Sequence, residues 1–502
     1  MNTNRKEPRD ESIERAEAEV QRAIADATAI AKREGITLAA AEAELWTALL
    51  ALGRALLALL LARTAARTRP ASYEHEGARY VLDTTTRRNS EVGTRFGKVK
   101  FSRAIGNAVG RRSRADLPVD RELGLSGGFS LGTVMAVTQL CAMLAFGTAR
   151  RLFAEFHEWA PSPRATLRMV DAVGAEARGF LDAAALPDDD GEVLVIQVDG
   201  RGAPMITATE AERRRQPRRK SRGTKRHGRR RRRREHPRPR RKKGDKSKNA
   251  KVAFVGVLYT LRKTRRGLEG PINKRLLATF ESHEALFRQL HEHAVRRGYG
   301  EKRSVFLADG SDHIWRLQKT YFPDAVPCID WYHIVEKLWE AAGCLHREGT
   351  EELAAWVAEQ KARLRRGNLA ALTTELTEAY ASIPITGPGN KGRRKRLLEI
   401  MMHIADHRNR MRYAELRRED LDIGTGAVEG AVRNLVGMRL DGPGMRWGRD
   451  RAELVLRLRC IVLNGQWDAF CDYLATRPIK LAAQPVPART HDAKSQQLRE
   501  AA

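Results

Sequence analysis

Two apolar, strand-like segments of this chain end in the same dipeptide, Asp-Gly, and this repetition constrains the fold more than any other feature. Residues 193–198 lead into Asp199, and residues 304–308 lead into Asp309. The glycine that follows each aspartate lets backbone or substrate approach closely. If the two strands are parallel neighbours, their carboxyl ends lie at the same edge of the sheet. The pattern therefore predicts that the two carboxylates lie side by side.

The segments around these two runs predict the rest of the sheet. Residues 252–261 and 275–280 are further apolar strands, and residues 325–329 form a strand that ends at Asp330. Helical patterns at 283–297 and 312–321 separate the last three strands. Three strands, a helix, a strand, a helix and a strand are the order of a ribonuclease-H-like core. In that core an antiparallel trio is extended by two parallel strands.

Paired carboxylates at this edge of the sheet indicate a divalent metal ion. Two carboxylates forced together repel each other unless a cation lies between them. Two Mg²⁺ ions about 3.5–4 Å apart can activate the attacking oxygen and stabilise the leaving oxygen of a phosphodiester. Glu429 is the candidate for a third carboxylate, because Thr425 can cap a helix and place Glu429 in its second turn. The alternative is that Glu429 is one surface acid among 62 and that the two aspartates only cap strand turns.

Asp330 and His333 lie one helical turn apart, directly after the last predicted strand. As a hydrogen-bonded pair they could orient each other near a scissile phosphate, or the imidazole could donate to it. The alternative is a strand-to-helix cap with a buried histidine.

Most of the net charge of +30 lies in one segment. Residues 213–248 contain 22 Lys and Arg and two acids, and the other 466 residues carry only +10. Such a run is usually solvated, but a polycation beside a phosphodiester site would also neutralise phosphates in a salt-dependent way. It has almost no aromatic residues, so base stacking is not its mode of binding. Its longest run of candidate DNA-binding residues is Arg229, Arg230, Arg231, Arg232, Arg233 and Arg234.

The region before the first Asp-Gly strand is predicted to be mainly helical and to bind DNA. Residues 130–178 contain three short helical segments with tight joints, which is typical of a helix-turn-helix. Ser162 followed by Pro163 is a strong helix start, and it would place Arg164 and Arg168 in the first turns, where such helices meet base edges. The alternative is an ordinary three-helix core with exposed arginines.

The chain is expected to be cytoplasmic, at the bacterial nucleoid, and not to span a membrane. Residues 45–62 are long enough for a span, but Arg54 lies near their centre, where an arginine costs at least ~2.5 kcal/mol. The segment also starts too far from Met1 for a signal peptide. The five cysteines contain no CxxC pair, so a zinc ribbon is unsupported and a reducing compartment is expected.

Four motifs occur in order: VDGRG at Asp199, LADGSDHIW at Asp309, CIDWYHIVEKLW at 328–339, and GTGAVEG followed by GMRW at 444–447. With them the chain resembles bacterial insertion-sequence transposases of the DDE class, ISKra type, and more distantly the Mutator-like group. The resemblance runs from about residue 95 to about residue 475. It implies a ribonuclease-H-like catalytic core in which Asp199, Asp309 and Glu429 bind two Mg²⁺ or Mn²⁺ ions. It also implies that Asp330 and His333 form the D-x-x-H signature near the active site.

The expected fold is therefore a multidomain α+β chain. It has a mixed five-stranded ribonuclease-H-like core with an all-helical insertion and a mainly helical N-terminal DNA-binding region. The expected divisions are a helical hairpin for dimerisation (1–70), a small basic β-element (71–128), a helix-turn-helix-like domain (129–185), the core with basic loop 213–248 (190–340), the helical insertion (341–420), the Glu-bearing C-terminal helices (421–478) and a disordered tail (479–502).

The expected function is metal-dependent cleavage and strand transfer of the chain's own insertion sequence, without a small-molecule cofactor. The partners would be the terminal repeats and target DNA, and cutting two ends implies a homodimer or higher oligomer. Arg446 and Trp447 follow a Gly-Pro-Gly turn, from which they could bind a phosphate and stack on a base at the cut end. Trp447 could equally anchor the following helix. The alternative functions are a structure-specific nuclease on the same core and a catalytically silent DNA-binding regulator derived from a transposase.

Overall fold

A computed structural model describes residues 8–110, 115–125, 127–207, 250–477 and residue 481. The predicted basic loop at 213–248 lies outside the described residues, as does the predicted tail at 479–502 apart from Leu481. The chain divides into two compact units. One contains Met1–Glu176 with Trp467–Ala502, and the other contains Ala177–Gln466.

The first unit begins with a helical hairpin on a small antiparallel sheet. Helices α1 (Pro8–Ala31) and α2 (Leu38–Ala66) pack against each other, and the Thr37 hydroxyl caps α2 by accepting from the Ala40 N–H. The sheet has the order β1-β2-β3-β4, and α2 packs on β3 over an apolar core that includes Leu61 and Phe101. Its strands are β1 (Ser72–His75), β2 (Ala78–Thr94), β3 (Gly97–Ala108) and β4 (Ala115–Asp116).

Helices complete the first unit. They are α3 (Pro118–Glu122), α4 (Leu131–Met143), α5 (Phe146–His157) and α6 (Pro163–Ala183). The Ser162 hydroxyl accepts from the Ala165 N–H at 3.2 Å, so the predicted Ser-Pro helix start is where α6 begins. The three helices expected in this region are present, but α6 is longer than predicted, and its residues from Ala177 onward belong to the second unit.

The second unit is built on a five-stranded mixed sheet with the order β7-β6-β5-β8-β9. Strands β5, β6 and β7 are antiparallel neighbours, whereas β8 is parallel to β5 and β9 is parallel to β8. This is the strand order and direction expected of a ribonuclease-H-like core. The strands are β5 (Val193–Pro204), β6 (Ala250–Thr264), β7 (Gly267–Thr279), β8 (Arg303–Ala308) and β9 (Val326–Ile329).

Three strands are substantially longer than predicted: β6 extends at both ends, β7 begins eight residues before the predicted 275, and β5 extends at its C-terminal end. β5 continues past Gly200, because residues up to Pro204 stay paired with β6, as far as Ala250. Asp199 therefore lies within β5 and not at its end. The pairing between β5 and its parallel neighbour β8 does stop there, at the Val198–Ala308 pair.

The helices of the second unit link the strands and carry the insertion. Between β7 and β9 lie α7 (His283–Arg296) and α8 (Asp312–Tyr321). After β9 every element as far as Arg418 is helical, as expected for the all-helical insertion, although the first of these helices begins at Trp331, before the predicted start at residue 341. Its helices are α9 (Trp331–Leu345), α10 (Glu351–Arg365), α11 (Leu369–Ser382), α12 (Asn390–His407) and α13 (Tyr413–Arg418), with a 3₁₀ turn at Arg408–Arg410.

The C-terminal helices follow the insertion. In the second unit they are α14 (Gly426–Val432), a π-helical turn (Arg433–Gly437) and α15 (Arg449–Leu463). The last helix, α16 (Trp467–Ala475), was expected to belong to the core but groups with the first unit, where it contacts α4.

Within the described residues, one helix, α2, is long and apolar enough to cross a membrane. One such helix is weak evidence for a span. Arg54, near its middle, packs over the backbone of Gly97, where an added Cβ would lie 2.8 Å from the arginine Cδ.

Candidate active site

The register of two parallel strands places Asp199 and Asp309 next to each other. The last paired residues of β5 and β8 are Val198 and Ala308. Asp199 directly follows Val198, and Asp309 directly follows Ala308. Neighbouring strands lie about 4.8 Å apart, so the two carboxylates start from adjacent backbone positions. Asp309 Oδ1 accepts a hydrogen bond from the Ser311 N–H at 3.1 Å, which orients this carboxylate at the start of α8.

Glu429 approaches the same edge of the sheet from α14. Thr425 stands at the predicted cap position, but its hydroxyl donates to Glu429 Oε1 at 3.1 Å instead of accepting from the helix backbone. Glu429 lies in the first turn of α14 and not in the second, and its N–H bonds to the Thr425 carbonyl. The threonine therefore orients the glutamate directly.

The predicted acids converge on one cavity of about 240 Å³. It is lined by Val198, Asp199, Asp309, Asp330, Tyr332, His333, Glu336, Thr425 and Glu429. Burial, together with the negative charges of Asp309, Glu429 and Asp330, raises the pKa of Asp199 to about 6, and the hydrogen bond from the Gly200 N–H opposes this rise. Acids far apart in the sequence thus interact electrostatically at one site.

The carboxylates suit a hard divalent cation in chemistry and in charge. Among the described residues, however, no group of three or more His, Cys, Asp or Glu side chains is already arranged to hold a metal ion. The carboxylates offer oxygen ligands, line one cavity and repel one another, so a bound cation would draw them together. Burial is the main cause of the raised pKa of Asp199, and repulsion from the neighbouring carboxylates adds to it.

Asp330 has the role of a structural cap. It is only 4% exposed, its Oδ2 accepts from the His333 N–H and its Oδ1 accepts from the Thr425 N–H, both at 2.8 Å. The first bond starts α9, and the second ties α9 to the residue before α14. The strand-to-helix cap, left open by the sequence, is thus present. The His333 ring is half-buried and lines the cavity.

Gln197 is a site residue that the sequence analysis missed. It is two residues before Asp199 on β5, so both side chains lie on the same face of the strand. Its amide nitrogen donates to the Tyr259 hydroxyl at 2.9 Å and to the Gly424 carbonyl at 3.1 Å, and its oxygen accepts from the Val428 N–H at 3.0 Å. This buried side chain therefore fixes the start of α14, and with it Glu429, against the sheet. A single polar residue inside an apolar strand was the available signal.

Two further residues were missed. Glu336 lines the cavity and lies one turn beyond His333 on α9, a spacing that the sequence shows. His403 comes from α12 of the insertion, and its ring centroid lies 5.5 Å from that of His333. An added Cβ on Gly310 would lie 2.2 Å from His403 Cε1, so this imidazole packs directly on the residue after Asp309. Nothing local in the sequence indicates that approach.

The prediction that Trp447 stacks on DNA needs correction. Its side chain is 5% exposed, its indole N–H donates to the Leu440 carbonyl at 2.9 Å, and Arg439 lies over its ring at 4.7 Å. Its backbone also pairs with the end of β5, because its N–H donates to the Pro204 carbonyl. The ring is therefore an anchor inside the second unit, whereas Arg446 beside it is exposed.

Of the other predicted DNA contacts, Arg164 and Arg168 do not line this cavity. Arg164 is exposed and Arg168 is half-buried in the first turns of α6. Arg229, Arg230, Arg231, Arg232, Arg233 and Arg234 lie outside the described residues.

Comparison with known proteins adds little. No family model and no curated protein matches the sequence. Among solved structures, a Drosophila P element transposase strand transfer complex aligns with 68% of this chain and 80% of its own, at 9% identity and a TM-score of 0.24. The assignment of the fold rests on the strand order and directions of the sheet.

Proposed function

We propose that this chain is a DDE-type DNA transposase that cleaves the ends of its own insertion sequence and joins them to target DNA. One observation carries the proposal: Asp199, Asp309 and Glu429 line one cavity beside the end of two parallel strands. The charges of Asp309 and Glu429 contribute to the raised pKa of Asp199, so both carboxylates lie close enough to interact with it. The order of the four sequence motifs adds support.

These three acids are the residues that would hold Mg²⁺ or Mn²⁺. Two bound ions would activate the attacking oxygen and stabilise the leaving oxygen of a phosphodiester. The remaining residues of the site position the acids: Gln197 and Asp330 fix the start of α14, and through it Glu429. His333 lines the same cavity, where its imidazole could donate a hydrogen bond to a phosphate oxygen.

The basic segment would bring DNA to this cavity. The described chain leaves the sheet after Pro204 and returns at Ala250, which are paired with each other. Pro204 is five residues beyond Asp199, or roughly 17 Å along the strand, on the side of the sheet where the acids lie. Removal of residues 213–248 should therefore lower general DNA affinity and flatten its salt dependence, because most of the net charge is lost with them. An unchanged salt slope would show that the segment stays off the DNA.

We propose that the helices of the first unit recognise the terminal repeats of the element. The exposed Arg164 in the first turn of α6 is available to meet a base edge or a phosphate. Substitution of Arg164 by Ala should weaken binding to the element's own ends more than binding to unrelated duplex DNA.

The decisive experiment uses the purified full-length chain, a labelled DNA end of the element that encodes it, target plasmid and Mg²⁺. Both nicked and joined products are expected. Asp199→Asn, Asp309→Asn and Glu429→Gln should each abolish both products while leaving DNA binding largely intact. Asp312→Asn is the matched control, because Asp312 is an exposed acid three residues from Asp309 that does not line the cavity.

The alternative functions give different products. A nuclease would produce nicks without joined DNA, and a silent regulator would bind without cutting. Wild-type cleavage in any of the three variants would remove that residue from the proposed metal site.

A further inference from the structure

Helix α2 presents an exposed apolar face that nothing in the first unit covers among the described residues. Leu49 is 53% exposed, and Leu56 and Leu60 are each 50% exposed. Gly53 lies between Leu49 and Leu56 along the helix, and the exposed ring of Phe96 packs against it. A Cβ added to Gly53 would lie 2.2 Å from this ring. Contiguous exposed apolar surface of this kind marks an interaction site more often than an isolated exposed leucine does. We call Leu49, Leu56, Leu60 and Phe96 the leucine face.

The other sides of α2 are already occupied. Leu50 and Leu61 are buried, and Leu61 belongs to the core that α2 forms with the small sheet. On another side α1 packs along α2, with an ion pair between Arg63 and Glu17 at 2.7 Å. Among the described residues, the leucine face is therefore the side of α2 that intramolecular packing leaves exposed.

The spacing along the helix matches a coiled-coil seam. Leu45, Leu49, Leu52 and Leu56 follow one another at intervals of four, three and four residues. Knobs at this spacing fit the holes of a second helix with the same period. Leu45 and Leu52 are half-buried and lie at the edge of the leucine face. They would contact the second helix at the margin of the interface.

The same residues are arranged almost symmetrically about the middle of the helix, between Leu52 and Gly53. In an antiparallel pair of two α2 helices centred there, Leu49 would meet Leu56 of the other copy and Leu45 would meet Leu60. One step further out, the exposed Glu42 would meet the exposed Arg63. Each of these contacts occurs twice, as the two-fold symmetry of an isologous interface requires.

We propose that the leucine face is a homodimer interface in which the α2 helices of two copies of this chain pack antiparallel. Charge decides the direction, because a parallel pair would bring Glu42 against Glu42 and Arg63 against Arg63. The antiparallel pair replaces both repulsions with two attractions. This interface is independent of the catalytic proposal, since it uses none of the residues of the cavity.

The first test measures the mass of the full-length chain in solution by light scattering and sedimentation, at micromolar concentration and without DNA. The wild type should be a dimer, and Leu49→Glu with Leu56→Glu should be a monomer. Ile385→Glu with Met402→Glu is the matched control, because both residues are exposed and apolar but lie in the second unit. Circular dichroism and a melting curve on each variant show whether it has kept its fold.

A second test does not disturb the apolar packing. Glu42→Arg alone and Arg63→Glu alone should each raise the dimer dissociation constant several-fold, and the double variant should restore it. Restoration can only come from pairing of residue 42 with residue 63, because the swap leaves the Arg63–Glu17 pair broken.

Three results would overturn the proposal. They are a monomeric wild type, a dimer that survives both glutamate substitutions in the leucine face, and a double charge variant that is weaker than either single one. Flotation of a monomeric wild type with phosphatidylcholine vesicles would instead assign the face to a membrane.

Discussion

Asp199→Asn should make the metal-free protein more stable at neutral pH while it abolishes DNA cleavage. Burial and the charges of Asp309, Glu429 and Asp330 raise the pKa of Asp199 to about 6 from its ordinary value of 3.8. The folded protein therefore holds this proton more tightly than the unfolded chain does. Between about pH 4 and 6, the stability of the wild type falls as the pH rises, because the folded state still carries a proton that the unfolded chain has lost.

The size of the effect follows from the shift. At about 1.4 kcal/mol for each pKa unit, the wild type loses on the order of 3 kcal/mol between pH 4 and pH 7 through this one group. Asparagine has nearly the same shape as aspartate and carries no charge, so the variant escapes this loss. The two proteins should be equally stable near pH 4 and should differ by up to about 3 kcal/mol at pH 7.

The assay is urea unfolding at pH 4.5 and pH 7, followed by circular dichroism in the presence of EDTA. Asp312→Asn, outside the cavity, should follow the wild type at both pH values. Replacement of EDTA by Mg²⁺ should stabilise the wild type but not Asp199→Asn, since a ligand that binds only the folded state shifts unfolding by mass action. A variant that is no more stable than the wild type at pH 7 in EDTA would refute the electrostatic account of this site.

Other substitutions test how the site and its surroundings are held in place. Gln197→Met should lower the free energy of unfolding by about 2–5 kcal/mol and abolish cleavage, because two backbone groups at the start of α14 lose their partner. Gln360→Met is the control at a buried glutamine that does not line the cavity and whose amide oxygen accepts one bond, from Arg363 at 3.3 Å. It should cost about 1–2 kcal/mol and leave cleavage unchanged, and equal losses of cleavage in the two variants would contradict the positioning role of Gln197. Trp447→Ala should lower the free energy of unfolding by about 3–5 kcal/mol and lower the melting temperature. An unchanged melting curve would contradict the anchoring role and favour a DNA contact for this residue. Gly310→Ala should cost about 1–3 kcal/mol by overpacking, and His403→Ala in the same chain should relieve most of that loss in a double-mutant cycle.

The sheet and two of its acids could be predicted because their signals are local. An apolar run followed by Asp-Gly shows where a strand delivers a carboxylate, and the order of strands and helices restricts which strands can be neighbours. The register of β5 with β8 then brings Asp199 beside Asp309 without further information. Glu429 is different, since its assignment depended on a helix cap and on the order of motifs along the chain.

Other features could not be predicted because their partners lie far away in the sequence. Gln197 is a polar interruption in an apolar strand, and only the folded chain shows that it binds Gly424 and Val428. The extension of β5 to Pro204 depends on pairing with residues beyond the basic segment, so local hydrophobicity does not reveal it. A tryptophan after a Gly-Pro-Gly turn has the same local pattern whether it stacks on DNA or fills a core.

The helical insertion also contributes directly to the placement of Asp309. Gly310 has no positive φ, so backbone conformation is not the reason for glycine at this position. The reason is the ring of His403, which leaves no space for a Cβ, while the buried His407 ring hydrogen-bonds the Gly310 backbone. Arg410 bonds to the His407 ring at 2.7 Å and lies over Trp315 of α8 at 4.6 Å. The insertion therefore holds the turn after Asp309 from the α12 side, and substitutions in α12 should alter the site although they touch none of its acids.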